Sequence, residues 1–148
     1  AYLWRAREDM ASAQQKAGGT ISHVVSVPVS KVADFIAAAD AALEQAYPGI
    51  RHCAFGHVGD GNIHYNPIRP LNWSYERYMA EFAKVNAIVH DIVIAHGGSI
   101  SAEHGIGRMR LEENYRYKSA VELDMMHAIK RALDPHNLMN PGKLVKIS

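Results

Sequence analysis

Two histidines, His57 and His64, stand seven positions apart in the stretch HVGDGNIHYN, around a turn made of Gly59, Asp60 and Gly61. Glycine and aspartate between two short extended segments, IRHCAFGHV and NIHYNPI, signal a hairpin. With residues 59–62 as the loop, Val58 pairs with Ile63 and His57 lies opposite His64. Opposed side chains share a face with Cβ atoms about 4.5–5.5 Å apart, close enough for two imidazoles to hold one ion. Period two adds Asn66 to that face and turns Val58, Ile63 and Tyr65 to the other. A second stretch, SISAEHGIGRMR, sets Glu103 and His104 ahead of Gly105 and Gly107. Neighbours on a straight strand face opposite ways, so the two glycines predict a turn that aims both at one spot.

Two histidines and one carboxylate make a metal set with open positions, suited to zinc, or to manganese or iron. His104 is then left as a base, since neutral imidazole takes a proton near pH 7. Spacing leaves the blander alternative open as well, in which solvated hairpin histidines lie near a helix-entry loop. The other six candidate histidines, His23, His52, His90, His96, His127 and His136, have no ligand-like neighbours or sit on helical patterns, and read as structural.

Other chemistries lack their residues. GHVGDG and HGIG match neither the dinucleotide fingerprint nor a P-loop, and no serine sits in a nucleophile elbow. The 16 basic and 15 acidic side chains give no excess for nucleic acid. Cys53 is the single cysteine, so no intrachain disulfide forms and a reducing, cytoplasmic setting is expected. No apolar run approaches the roughly 20 residues of a membrane span.

The elements that must position these groups follow from pattern and punctuation. A helix-like AYLWRAREDMASAQQKA ends at Gly18 and Gly19, and reads as the inside of a longer protein. TISHVVSVPV is β-branched and predicts a strand to about Val29. Ser30 then caps a helix whose Val32, Phe35, Ile36, Ala39 and Leu43 repeat at three and four, stopped by Pro48 and Gly49. After the hairpin, Ser74 starts the longest helix, with one apolar stripe through Tyr78, Met79, Phe82, Val85, Val89, Ile92 and Val93 to Gly97 and Gly98. GSISAE predicts a short strand. Ser119 and Glu122 form a capping box for a helix through Leu133, closed by Asp134 and Pro135. The order βαββαβ predicts an α+β, ferredoxin-like antiparallel sheet with helices on one face and extra N- and C-terminal helices, in a single domain over 148 residues.

Three motifs taken together, GHVGDGNIHYN, SAEHGIGRMR and LDPHNLMNPGKL, resemble the C-terminal, substrate-side domain of FAD-linked oxidases of the vanillyl-alcohol oxidase type. That group contains glycolate oxidase D-subunits, D-lactate dehydrogenases and D-2-hydroxyglutarate dehydrogenases, and the likeness spans nearly the whole chain. The resemblance implies FAD held mainly by a separate N-terminal FAD-binding domain, and oxidation of a small D-2-hydroxy acid. It implies metal ligation by His57, His64 and Glu103, with His104 as base. Asn66 and Arg7 would contact substrate, and Asn140 would lie near the flavin ring. Some members, notably those resembling D-2-hydroxyglutarate dehydrogenases, carry a lysine in the strand before VSxP; Ser22 and His23 stand there instead, which speaks against a hydroxyglutarate-like preference. The rival readings are a metal-dependent hydrolase and a ferredoxin-like interaction domain. The LMNPGKL tail favours the flavin reading over the hydrolase, the isolated piece is expected to be inactive, and a homo-oligomer is open.

Overall fold

The computed structural model describes residues 4–5 and 8–147. Arg7 lies outside the described residues. The chain packs as two compact units, residues 1–102 and 103–148.

In the first unit, α1 (Met10–Lys16) leads through Gly18 and Gly19 into β1 (His23–Ser26). A 3-10 turn (Val29–Lys31) then enters α2 (Val32–Ala46). Ser30 is not the cap of α2. Pro28 starts the turn by accepting from the Lys31 amide at 2.7 Å, so Ser30 lies inside the turn, and Lys31 becomes the N-cap without a side-chain bond. β2 (Ala54–His57) and β3 (Asn62–Tyr65) make the expected antiparallel hairpin, and the sheet order is β1-β3-β2. Ser74 caps the next helix as expected, its side chain accepting from the Arg77 amide. The predicted long helix is two, α3 (Tyr75–Met79) and α4 (Phe82–Ala95). Two tertiary hydrogen bonds pin the chain at the break: Tyr78 Oη donates to Pro67 O at 2.8 Å, and Tyr47 Oη donates to Glu81 at 3.1 Å.

The strand expected over GSISAE is one antiparallel bridge, Ser26 to Ser99, on the free edge of β1. Gly98 allows the approach, because a Cβ there would lie 2.2 Å from Ser26 O. Ser99 Oγ then donates to Ser101 O and accepts from the Ser101 amide, a local alternative to ladder pairing, and the Ala102 amide donates to Val24 O of β1 at 3.0 Å. The fold is thus α+β with a three-stranded antiparallel sheet and six α-helices among the described residues.

The core lies between one sheet face and helices α2 and α4. His23, Val25, Ile63 and Tyr65 point from the sheet into Phe35, Ala39 and Leu43 of α2 and Val85, Val89 and Val93 of α4, all buried. Phe35 meets the Tyr65 ring edge-on at 5.6 Å, and His23 meets His90 at 5.5 Å. His23 Nδ1 also lies 2.9 Å from Tyr65 O, so His23 and His90 are core residues, as read.

In the second unit, α5 (Leu111–Tyr117), absent from the sequence-based expectation, precedes α6 (Ala120–Leu133). Ser119 and Glu122 form the predicted capping box on α6. The tail returns along these helices. Asn114 Nδ2 donates to Leu144 O at 2.9 Å, and the Lys146 amide donates to Tyr115 Oη at 2.8 Å. Asp134 closes α6 by accepting from the amides of Leu138 and Met139, both at 2.8 Å. No helix among the described residues is long and apolar enough to cross a membrane.

Candidate functional site

The sheet face opposite the core carries Phe55, His57, Asn62, His64 and Asn66. Register decides how they meet. β2 pairs with β3 through His57 to Asn62 and Phe55 to His64, so the turn is residues 58–61 and His57 is not opposite His64. The cause is local. The Asp60 carboxylate accepts from the Asn62 amide at 3.0 Å and restarts the strand there. Gly61 takes φ +73° and lies so close to β1 that a Cβ would sit 2.0 Å from Val27 O.

The two histidines are therefore diagonal neighbours on one face, with ring centroids 6.3 Å apart and nearly perpendicular planes. Phe55 occupies the place opposite His64 and stacks on its imidazole at 4.9 Å with 6° between planes. Asn62 Nδ2 lies 3.4 Å from His57 Nδ1. His57, His64, Phe55, Gly56 and Met10 of α1 line a cavity of about 210 Å³. That is below the roughly 300–1,000 Å³ of drug-sized sites and suits a small ligand. The sequence marks neither Met10 nor Phe55 as a residue of the site. Period two from His57 puts Phe55 on its face; Met10 carries only a helical-stripe signal.

Two imidazoles on one cavity wall fit half of a metal set, since each can bring a nitrogen to about 2.0–2.1 Å from an ion. Among the described residues, no group of three His, Cys, Asp or Glu side chains is gathered to hold a metal. Glu103 and His104 open the second unit, with His104 Nε2 3.7 Å from Glu103 Oε2 and the histidine side chain well exposed. Gly105 (φ +71°) and Gly107 (φ +60°) take the left-handed backbone expected of the turn after them.

Asn66 shares the histidine face, yet it is buried and both ends of its amide are engaged. Its Oδ1 accepts from the His23 amide at 3.1 Å, and its Nδ2 donates to Gln14 at 3.0 Å. Asn140 belongs to the second unit, in left-handed backbone at φ +50°, with its Oδ1 accepting from Lys143 Nζ at 3.0 Å. It lines a second cavity of about 400 Å³ with Gly107, Lys130, Met139 and Lys143.

Comparison with known proteins gives the family of the chain. Residues 1–144 match the family described as FAD linked oxidases, C-terminal domain. The chain is 40% identical over 144 residues to D-2-hydroxyglutarate dehydrogenase of Xanthomonas citri pv. viticola, covering 97% of this chain and 30% of that protein. It is 36% identical over 148 residues to the Stutzerimonas stutzeri protein of the same name, covering 96% of this chain and 30% of that protein. Against D-lactate dehydrogenase of Archaeoglobus fulgidus it is 35% identical over 120 residues, 81% of this chain and 25% of that protein. The chain thus spans less than a third of the length of these relatives, and over that span it belongs to the FAD linked oxidase C-terminal domain family.

Proposed function

We propose that this chain is the substrate-side domain of a longer FAD-dependent dehydrogenase that oxidises a small D-2-hydroxy acid to the 2-oxo acid. The observation that carries the reading is the small cavity walled by His57 and His64 in a chain of this family. Relatives named for D-2-hydroxyglutarate and D-lactate support the substrate class.

In this reading the flavin supplies the hydride acceptor, and a divalent ion, zinc or else manganese or iron, supplies Lewis acidity. His57, His64 and Glu103 are the residues that would hold the ion. His104 takes the hydroxyl proton as the C2 hydrogen leaves as hydride, so the carbonyl forms with charge balanced. Arg7 and Asn66 orient the acid, Asn66 in part through its bonds to His23 and Gln14, and Asn140 stands on the flavin side. The free thiol of Cys53 goes with a reducing, cytoplasmic setting.

An exposed apolar ridge supports a covering domain. Val121, Met125, Ile129 and Leu133 recur every fourth residue along α6, each more than half exposed. Such a continuous patch is a cost in water unless another surface covers it. In the proposed protein that surface is the FAD-binding domain, and the 148-residue chain with added FAD is expected to oxidise nothing.

The test is anaerobic reduction of the flavin in the full-length protein by D-lactate and by D-2-hydroxyglutarate. His104→Gln should slow reduction by about 10²–10⁴-fold, the usual worth of a positioned base. Reduction at the unaltered rate would remove His104 from the reaction. No reduction of the wild-type protein by either acid would overturn the assignment.

A further inference from the structure

Gln14 lies four residues after Met10 on α1, so the two share a helix face. Met10 walls the cavity with His57 and His64. Gln14 reaches past it to the sheet: its Oε1 accepts from Asn66 Nδ2 at 3.0 Å, and its Nε2 donates to Cys53 Sγ at 2.8 Å. Cys53 immediately precedes β2 and Asn66 immediately follows β3, so one side-chain amide grips both open ends of the hairpin that carries the two histidines. The Asn66 amide donates to Cys53 O at 2.8 Å and closes the same junction.

A second fastening holds the other end of the helix. Arg51 Nη2 donates to Ala17 O at 2.6 Å, and Arg69 Nε donates to Gly18 O. Beyond it Gly18 and Gly19, at φ +112° and +96°, form a bend that a side-chain-bearing residue adopts only with strain. Arg69 also holds the bend itself, its backbone amide donating to Gly19 O at 3.3 Å. Gln14 adds, among the described residues, a fastening in the body of α1 to those at its C-terminal end.

We infer that Gln14 is a positioning residue, which holds α1 across the sheet so that Met10 closes the His57–His64 cavity. The inference rests on the function proposed above and deepens it. Asn66 then also serves the site by anchoring its roof, a role that its bonds to His23 and Gln14 support.

The experiment uses the full-length protein with Gln14→Leu, which loses both bonds, and Gln14→Glu, which keeps an acceptor for Asn66. Peptide-level hydrogen exchange over residues 10–16 and the alkylation rate of Cys53 report the fastening. KM and kcat for D-lactate and D-2-hydroxyglutarate report its use. Gln14→Leu should speed exchange and alkylation, and should raise KM by about tenfold with little change in kcat, the pattern of lost uniform binding. Gln14→Glu should recover part of the KM. Unchanged exchange and alkylation in Gln14→Leu would overturn the fastening, and a loosened helix with unchanged KM would overturn the positioning role. If the wild-type protein is reduced by neither acid, the proposed function fails by itself. The imidazole NMR signals of His57 and His64 then decide this inference: displacement by Gln14→Leu upholds it, and identity with wild type overturns it.

Discussion

Asp60 and Gly61 govern how the candidate site presents its histidines. The pairing slides by two positions from the one expected of a 59–62 loop, and a slide of two leaves every side chain on its original face. His57, His64 and Asn66 therefore share a face as the alternation predicts, while Phe55 takes the place opposite His64. Gly61→Ala is expected to destabilise the protein by about 1–2 kcal/mol from its left-handed backbone alone, and further from the contact at Val27 O. A lowered urea midpoint would check this, together with a shift of the His57 and His64 resonances. In the core, Phe35 is fully buried and packs edge-on against Tyr65. Phe35→Ala should cost about 3–5 kcal/mol, as large-to-small core changes do. A loss under about 1 kcal/mol in the same denaturation measurement would mean that the core is plastic at that point.

At the scale of elements, helix punctuation was legible where side chains alone perform it and hidden where the backbone is already committed. Ser119 and Glu122 make their capping box from local sequence, whereas Ser30 is pre-empted by the turn that Pro28 starts. Ser119→Ala should cost about 1 kcal/mol, the usual worth of an N-cap, read from the urea midpoint. Glu122 adds a pH signature. The Lys118 ammonium, then the Ser119 amide and hydroxyl, hold its carboxyl down to about 2. A depressed carboxyl binds fewer protons folded than unfolded, so its contribution is fully present above the ordinary value of 4.5 and is lost as pH falls toward 2. Acid titration of helicity should show that α6 weakens over this window, and Glu122→Gln should remove this part of the pH dependence. The fourth strand failed for a related reason: the Ser99 hydroxyl satisfies the backbone of Ser101, while the Ser99 backbone makes the one bridge to β1.

For the whole molecule, the candidate ligands divide between two compact units, His57 and His64 in the first and Glu103 at the start of the second. If one ion uses all three, His57→Ala and Glu103→Ala should lower the metal content of the full-length protein to a similar extent, from close to one ion per chain. Metal analysis after chelator-free purification checks this. Full metal retention in Glu103→Ala with loss in His57→Ala would confine the site to the first unit. The exposed ridge on α6 gives a second expectation at this scale. The isolated chain should self-associate in size-exclusion chromatography, and Ile129→Lys should restore a single monomeric peak.

The sequence by itself determined the α+β class, the hairpin, the common face of His57, His64 and Asn66, the capping box on α6 and the motifs that mark the family. Each follows from residues close together in the chain, through period two, turn chemistry or capping. Only the tertiary structure decided the hairpin register, the break between α3 and α4, and the placing of Met10 and Gln14 over the histidine face. Those depend on contacts between residues far apart in sequence, such as Gly61 with Val27, Tyr78 with Pro67, and Gln14 with Asn66. No local pattern encodes such contacts, because their geometry exists only once the chain has packed.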